Sequence, residues 1–297
     1  MRMLHRYLFV SLCFLLPAAA LAATPAPAII AHRGGTADAP ENTLVAIRQA
    51  LQHGADAVWI TLQQAKDGAI VLYRPSDLRA LTDKQGLVSA YSAEELAQAD
   101  AGWAFGKDGN HPFRGKHIGI PTLEQALTTF PQTTFYLDIK SPDSDPAKFA
   151  AALLATLEKN HSLERTRVYS TDAKYLQALP PQIKRFASRD ETRDLLANIT
   201  MAHQCDVTAS PNGPRWYGLE MKRQVEVVEK YTLGEARSKA LLVWDKEAVD
   251  CFRAKGPAHI ILFGINSPQD YQQALALGVD GVMVDSPLQA EKFRKAR

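Results

Sequence analysis

The sequence lacks an excess of charge of either sign, and this argues against binding to nucleic acid. It has 34 lysine and arginine residues against 32 aspartate and glutamate residues. The basic residues are scattered among the acidic ones, whereas a protein that grips a polyphosphate backbone normally presents a basic patch. We therefore expect no nucleic-acid partner.

Long apolar runs are scarce as well. The longest lies near the amino terminus, where the basic head MRMLHRY precedes the apolar stretch LFVSLCFLLPAAAL. This is the pattern of a secretory signal peptide, and it is too short for a membrane span of about 20 apolar residues. We predict that residues 1–22 are a signal peptide cleaved after Ala22, and that the protein is periplasmic or secreted. Cys13 lacks the surroundings of a lipoprotein site, so we expect no stable membrane anchor.

Cysteine is rare, with 3 residues in the chain. Cys205 and Cys251 remain after cleavage of the leader, and the sequence leaves open whether they pair in an oxidising compartment. No CxxC pair or Cys/His cluster predicts a zinc site. The length fits one α/β barrel or two small domains. Because no stretch has the composition of a linker, we predict one domain over residues 23–297.

Apolar runs of strand length alternate with amphipathic helical patterns, as expected for βα units around a parallel sheet. Core strands are predicted at 29–32, 57–62, 135–140, 167–171, 183–188, 259–266 and 278–286. An Asp-Gly pair at 67–68 predicts a hairpin that returns at 70–73. Residues 205–210 and 240–244 are two further strand candidates that cannot be ranked. A count near eight units predicts a single TIM (β/α)8 barrel rather than a doubly wound sheet.

Residues 101–121 interrupt this alternation. They are rich in glycine, proline and aromatic residues and show neither strand nor helix periodicity. We predict an irregular insertion after the second strand that acts as a lid over one end of the barrel.

Polar residues stand where several predicted strands end. His32 and Arg33 end the first strand, Asp138 and Lys140 end the strand 135–140, and the last two strands end at Asn266 and Asp285. Polar residues are common at any strand end, because strand ends meet solvent. In a TIM barrel, however, the carboxyl ends of the strands form one rim that carries the active site. We therefore expect these side chains to converge.

Four segments resemble the glycerophosphodiester phosphodiesterase family. They are AHRGG…APENT at 31–43, GADAVWITLQQAKDG at 54–68, IPTLEQAL…FYLDIKS at 120–141 and GVDGVMVDSP at 278–287. The resemblance implies a TIM barrel that cleaves phosphodiesters of glycerol-containing substrates. It also implies two catalytic histidines, one in the His-Arg-Gly motif and one near the hairpin. A divalent metal is implied between a Glu-x-Asp pair on the second strand and an acidic residue on the third.

Part of the family pattern is present in this chain. His32 matches the first catalytic histidine, and Asp138 matches the acidic metal ligand, with aspartate in place of glutamate. The remaining matches are Arg33, Glu41, Asn42 and Lys140. From the resemblance we predict catalytic roles for His32, Arg33, Glu41 and Lys140 and a substrate contact for Asn42.

Two positions of the metal site depart from the pattern. Trp59 and Thr61 stand where the family has Glu and Asp, and being two residues apart they share one face of the strand. An indole cannot bind a hard cation, and a hydroxyl is a weak substitute for a carboxylate. Asp138 is the only matching ligand, so at most a weakly bound Ca²⁺ or Mg²⁺ is expected.

The second catalytic histidine is replaced too, because Arg74 and Pro75 stand at the family's His-Asp position. One interpretation is a decayed site. The other is compensation, in which Arg33, Arg74 and Lys140 hold the phosphodiester and stabilise its developing charge without a metal. On its own, Arg74 also fits a surface ion pair with Asp77.

The mechanism predicted from these residues is incomplete. His32 is predicted to be the general base, with its ring oriented by Glu41. No general acid is assigned, although His111 and His117 in the insertion are candidates. Trp59, Trp103, Phe105 and Asn266 are candidate substrate contacts, with core or lid packing as the alternative for the aromatic residues.

The leading hypothesis is an exported phosphodiesterase that hydrolyses a glycerophosphodiester or a lysophospholipid-like substrate with weak or no metal dependence. The alternative is a catalytically inactive barrel that binds a phosphorylated ligand or a protein partner. The headgroup, a cyclic or linear product and the oligomeric state stay open.

Overall fold

The computed structural model describes residues 25–209 and 213–295. The predicted signal peptide at 1–22 lies outside the described residues. The strands are β1 Ala28–His32, β2 Ala57–Gln64, β3 Ile70–Leu72, β4 Thr134–Ile139, β5 Thr166–Ser170, β6 Arg215–Glu220, β7 Lys222–Tyr231, β8 Gly234–Val243, β9 Ala258–Phe263 and β10 Gly281–Val284. The helices are α1 Leu44–Gln52, α2 Ala93–Ala97, α3 Leu123–Thr129, α4 Pro146–Lys159, α5 Ala173–Ala178, α6 Arg189–Ala202, α7 Lys246–Arg253, α8 Pro268–Leu277 and α9 Pro287–Lys295.

Seven parallel strands form one curled sheet. Their order is β5-β4-β2-β1-β10-β9-β6, so the first and last strands of the sheet along the chain, β1 and β10, are neighbours. The hairpin strand β3 pairs antiparallel with the carboxyl-terminal end of β2, as the Asp-Gly pair predicts. This parallel order with intervening helices is the arrangement of an α/β barrel.

The two edges of this sheet are linked by a short segment. Val168 of β5 donates to the Lys184 carbonyl at 2.8 Å and accepts from Phe186 at 2.9 Å, and Ala187 donates to the Trp216 carbonyl of β6 at 2.8 Å. The prediction of a strand at 183–188 is therefore wrong in its extent, since the segment makes a single bridge. The Arg185 guanidinium donates hydrogen bonds to three backbone carbonyls that lie just before or within this segment. Ser188 then caps the next helix. Because the next helix begins at Arg189, the segment ends after one bridge to β5 and one hydrogen bond to β6.

The interior of the sheet is filled with aromatic side chains. Trp59 is 2% exposed. Its ring lies 5.0 Å from Tyr169 and 5.1 Å from Phe263, measured between centroids. Phe186 packs against the same indole at 5.8 Å. This layer fills the barrel beneath the carboxyl ends of the strands. The polar side chains above it line a cleft whose floor is the aromatic layer.

The region between 200 and 245 differs most from the prediction. Residues 205–209 are neither helix nor strand, and residue 210 lies outside the described residues. The barrel strand is β6 instead, and β7 and β8 form a long, mostly exposed antiparallel hairpin, which includes 240–243. Most residues of this hairpin are exposed, so its strands lack the buried apolar runs that mark the strands of the barrel. A disulfide joins Cys205 to Cys251, with their Cα atoms 5.7 Å apart.

A long connection runs from β3 to α3. It contains two 3₁₀ turns, Leu78–Ala80 and Val88–Ala90, followed by α2. Residues 101–121 follow without helix or strand. Among the described helices, none has the length and apolar character needed to span a membrane.

Candidate active site

A cleft of about 590 Å³ lies at the carboxyl ends of the barrel strands. Its floor is the aromatic layer, including Trp59 and Phe263. The charged and ionisable groups that line it are His32, four cationic residues, Arg33, Arg74, Lys140 and Arg189, and three carboxylates, Asp138, Glu220 and Asp285. Five of the six polar residues predicted to converge at the strand ends therefore line this cleft, and Asn266 is the exception.

His32 is held by the carboxylate of Asp285. Its Nδ1 atom lies 2.6 Å from Oδ1 of Asp285, whose second oxygen accepts from Asn266 at 2.7 Å. Thr36 donates to Asp285 as well, at 3.0 Å. Hydrogen bonding to His32 leads the causes that lower the pKa of Asp285 to about 2. The carboxylate is therefore ionised at any physiological pH and keeps His32 in one orientation.

This geometry changes two predicted roles. Glu41 does not orient His32, because it binds Arg33 instead, with 2.8 Å between Nη1 and Oε2. Asn266 binds the carboxylate of Asp285 through its side-chain amide and, through its Oδ1, the backbone N–H of the same residue. Its amide is therefore engaged in holding Asp285 and does not line the cleft.

The turn after β1 places these side chains. Arg33 has a φ of 51°, in the left-handed region, and Gly34 and Gly35 follow at 83° and 99°. A Cβ on Gly34 would lie 3.0 Å from the Cβ of Ala46 in α1, and this close approach explains why glycine follows His-Arg. The sharp turn directs Arg33 into the cleft while its guanidinium is held by Glu41.

Asn42 is 1% exposed and lies behind the cleft wall. Its Oδ1 accepts from the backbone N–H of Thr61 at 2.9 Å, and its φ is 58°. Asn42 therefore ties the loop after β1 to β2. It does not line the cleft, where a substrate contact was predicted.

Asp138 and Lys140 lie together at the end of β4, which β2 separates from β1 and His32. The Lys140 ammonium is 3.4 Å from Oδ1 of Asp138 and donates to Thr171 at 2.6 Å. Burial raises the pKa of the Asp138 carboxyl, against the opposing effect of the charges on Lys140 and Arg33 and a hydrogen bond from the Trp59 indole. A buried carboxylate with these neighbours depends on Lys140 for its charge balance.

The residues present do not fit the divalent metal that the resemblance implies. The Trp59 indole fills the space beside Asp138, and Thr61 offers only a hydroxyl. In residues 25–209 and 213–295, no three His, Cys, Asp or Glu side chains lie close enough together to hold a metal ion. Hard cations require several oxygen ligands, so this donor set supports at most weak binding.

Arg74 follows β3 and lines the same cleft as His32. It makes no ion pair or hydrogen bond with any residue that the structure describes. The alternative of a surface pair with Asp77 is not seen. Oδ1 of Asp77 instead accepts from the backbone N–H groups of Arg79 and Gly86. The Arg74 guanidinium is therefore available to an anion in the cleft.

Arg189 and Glu220 also line the cleft, although the sequence did not predict them there. Two N–H groups of one Arg189 nitrogen bridge the carboxylate oxygens of Glu220 at 2.6 and 2.7 Å, and Nη1 donates to the hydroxyl of Tyr169 at 3.2 Å. Burial raises the pKa of the Glu220 carboxyl, but the hydrogen bonds from Arg189 and the backbone, together with the charges of Arg189 and Arg223, hold it below its usual value. Glu220 is the last residue of β6. Had the sequence identified β6 as a barrel strand, Glu220 would have been predicted at the rim.

The residues of the insertion that were predicted as substrate contacts or as the general acid lie outside the cleft. Trp103 packs under the guanidinium of Arg114, 4.2 Å from its ring centroid. His111 contacts the Phe105 carbonyl at 3.2 Å, and His117 lines a separate surface cavity. Of the described residues that line the cleft, His32 is the only histidine. Neither His111 nor His117 is placed as a general acid by this geometry.

The cleft can therefore bind a phosphate-sized anion between several cations and present one oriented imidazole to it. Arginine offers planar, permanently charged N–H groups that match phosphate oxygens. An imidazole whose Nδ1 is bound to a carboxylate has its Nε2 free to accept a proton.

The chain is similar to proteins of one family over most of its length. Residues 32–289 match the model of the "Glycerophosphoryl diester phosphodiesterase family". A Mycobacterium tuberculosis protein, Rv2277c, is 40% identical over 288 residues, which cover 95% of this chain and 94% of that protein. A glycerophosphodiester phosphodiesterase of Bacillus subtilis is 26% identical over 278 residues, 90% of this chain and 86% of that protein.

Solved structures agree with this similarity. The glycerophosphoryl diester phosphodiesterase domain of Rv2277c superposes with a TM-score of 0.85 at 39% identity, covering 91% of this chain and 100% of that one. An Oleispira antarctica phosphodiesterase in complex with the product sn-glycerol-3-phosphate has a TM-score of 0.65 at 22% identity. The match covers 91% of this chain and 97% of that one. At that identity the second match shows the fold alone.

Proposed function

The chain belongs to the glycerophosphoryl diester phosphodiesterase family, and we propose that it is an exported phosphoric diester hydrolase acting on a glycerophosphodiester or a lysophospholipid-like substrate. One observation carries the proposal: the His32–Asp285 pair and the cations Arg33, Arg74 and Lys140 line a single cleft. The sn-glycerol-3-phosphate bound by the Oleispira antarctica relative supports a glycerophosphate group as the part of the substrate held here.

The phosphodiester carries one negative charge, which the cleft balances with its cations. Arg33 is positioned by Glu41 and Lys140 by Thr171, whereas Arg74 has no partner among the described residues. Arg74 therefore makes its strongest interaction with the substrate itself. Fixed N–H donors around phosphorus stabilise the charge that grows on its oxygens in the transition state.

His32 is the general base of the proposed reaction. Its Nε2 takes a proton from water, the resulting oxygen nucleophile forms a bond to phosphorus, and the bond from phosphorus to the leaving alcohol breaks. The electron pair of that bond goes to the departing oxygen, which takes up a proton from solvent, and the His32 imidazolium returns its proton to solvent. A neighbouring hydroxyl of the substrate can replace water as the nucleophile, and the product is then a cyclic phosphate.

The metal dependence is proposed to be weak or absent. Asp138 remains as the one carboxylate of the family's metal site, and its charge is balanced by Lys140 at 3.4 Å. A divalent cation bound there would polarise a phosphoryl oxygen. In this chain Arg74 and Lys140 supply positive charge to the same cleft without an ion.

Export is supported by two features. The leader predicted at residues 1–22 is one. The other is the disulfide between Cys205 and Cys251, because disulfides persist mainly in oxidising compartments.

The test is hydrolysis of bis(p-nitrophenyl) phosphate and glycerophosphocholine with and without EDTA, beside a His32→Ala variant. We expect the wild type to release product in EDTA and the variant to lose about 10²- to 10⁴-fold in kcat. ³¹P NMR of the product distinguishes a cyclic from a linear phosphate. If the wild type and the variant release product at the same rate at high protein concentration, the catalytic role of His32 is refuted.

A second candidate is a non-hydrolytic barrel that binds a phosphorylated ligand, favoured by the single histidine lining the described cleft. It predicts that glycerol 3-phosphate binds equally well to the wild type and to His32→Ala, with no turnover by either. Calorimetry on both proteins separates the two functions.

A further inference from the structure

A second cavity of about 430 Å³ adjoins the cleft. It lies between the loop 36–41 that follows β1 and the segment 101–107 of the irregular connection. Two hydrogen-bonded pairs link the cavity to the cleft. Thr36 of the cavity binds Asp285 of the cleft, and Glu41 of the cavity binds Arg33 of the cleft. A group held in the cavity is thus one side chain away from the groups that hold the phosphodiester.

The cavity differs from the cleft in chemistry, because its lining is mainly apolar. Among the described residues, its apolar wall includes Pro40, Leu81, Ala101, Ala104 and Phe105. The carboxylate of Glu41 is neutralised by Arg33, and the other charged residue of the lining is Lys107. A positive lysine disfavours a cationic headgroup such as choline, whereas a neutral hydrocarbon chain fits the apolar wall.

The wall formed by the irregular segment is fixed by its own contacts. Phe105 packs edge-on against Phe113, with ring centroids 5.2 Å apart, and its carbonyl contacts His111. A Cβ on Gly106 would lie 1.9 Å from the Asn110 carbonyl oxygen, so only glycine allows this close turn. The cavity is therefore built into the fold, and its size of several hundred Å³ is that of a ligand site.

We propose that this cavity binds the hydrocarbon chain of the substrate, and that Phe105 and Ala104 determine preference for a phosphodiester with such a chain. The proposal rests on the proposed function, since it selects the lysophospholipid-like substrate over the short glycerophosphodiester. The phosphate lies in the cleft against Arg33, and the chain crosses the rim at Thr36 and Glu41. Each buried methylene adds favourable transfer from water.

The first experiment compares kcat/KM, from choline release, for glycerophosphocholine and for 1-decanoyl-lysophosphatidylcholine below its micelle concentration. We expect the wild type to prefer the decanoyl substrate by at least about tenfold. Ala104→Phe fills the cavity and should lower kcat/KM for the decanoyl substrate by about tenfold or more, while glycerophosphocholine hydrolysis stays within about twofold. Phe105→Ala should weaken the same preference, and Leu87→Ala, which truncates an exposed side chain outside the cavity, should not.

A binding experiment separates this proposal from the proposed function. Calorimetry with n-decyl phosphate and methyl phosphate needs no turnover, so a chain-dependent affinity that Ala104→Phe removes supports the cavity even if no substrate is hydrolysed. Equal affinities for the two phosphates, or equal losses on both substrates in Ala104→Phe, would overturn it.

Discussion

The Nδ1 atom of His32 lies 2.6 Å from Oδ1 of Asp285, although 253 residues separate them along the chain. The contact follows from the sheet order, because β1 and β10 are hydrogen-bonded neighbours and Ala31 pairs with Val284. A carboxylate on Nδ1 fixes the tautomer of the imidazole and leaves Nε2 free for proton transfer. The residue that follows the last strand of the barrel thus completes the proposed general base.

Asp285→Asn should lower kcat by about 10- to 100-fold with little change in KM, because the amide no longer fixes the imidazole but leaves the cations in place. Thr36→Val removes one weaker bond to the same carboxylate and should cost about threefold or less. Steady-state kinetics on bis(p-nitrophenyl) phosphate measure both. An unchanged kcat in Asp285→Asn would contradict the role of the pair.

Arg74→Ala should lower kcat/KM by about 10²-fold, as expected when one preorganised donor to the transition state is lost. Arg74→Lys should recover part of the loss, since it keeps the charge but not the planar fork. Arg79→Ala is the matched control, because this neighbouring arginine binds exposed Gln85 at 2.7 Å and does not line the cleft. If the Arg74 and Arg79 variants behave alike, compensation is wrong and a decayed site is the better interpretation.

The sequence predicted those parts of the fold where hydrophobic pattern and turn signals agree. Helix α1 begins after Thr43, whose side chain caps it, and the Asp-Gly pair gives the β2–β3 hairpin. It failed at β6, because Trp216-Tyr217-Gly218 carries no clear alternation, and at the β7–β8 hairpin, because both of its faces are largely exposed. Local patterns do not report strands whose partners are distant in sequence.

The sequence predicted which side chains meet in the cleft more reliably than it predicted their contacts. His32, Arg33, Arg74, Asp138 and Lys140 line one cleft, as their positions after strands predict. Their partners depend on side-chain directions that a one-dimensional pattern does not contain. For this reason the sequence paired His32 with nearby Glu41, whereas the fold supplies a carboxylate from the opposite end of the chain.

Thr61→Asp tests the loss of metal ligands. Thr61 stands beside Asp138 in the pairing of β2 with β4, and its buried hydroxyl has no hydrogen-bond partner in the described structure. A second carboxylate there should lower the Tm without metal, because two buried anions repel, and Ca²⁺ should reverse part of this loss. Thr61→Asn is the control of the same size without the charge. An equal Ca²⁺ response of both variants by calorimetric melting would contradict the argument.

Asp138→Asn should raise the Tm at neutral pH. Burial raises the pKa of this carboxyl above its unfolded value, so between the two pKa values the folded state holds more proton than the unfolded state. The carboxyl therefore costs stability as pH rises through that window, from about pH 4 upward. The Tm advantage of Asp138→Asn should shrink as pH falls toward 4. An advantage that grows on acidification would show that the pKa is lowered instead.

The disulfide should stabilise the fold without taking part in the chemistry. Cys205 and Cys251 enclose 46 residues of sequence, including β6 and the β7–β8 hairpin. Closing a loop of that length restricts the unfolded chain and should raise the free energy of unfolding by about 4 kcal/mol. This corresponds to a Tm increase of roughly 10 °C for a chain of this size.

A Cys205→Ala, Cys251→Ala double variant should therefore melt at a Tm lower by that amount, and reductant should not change its Tm. Dithiothreitol should lower the Tm of the wild type by a similar amount. Because neither cysteine lines the cleft, kcat at 25 °C should be unchanged. A large loss of kcat in the folded variant would show that the β6 end of the cleft, including Glu220 and Arg189, depends on this crosslink for its geometry.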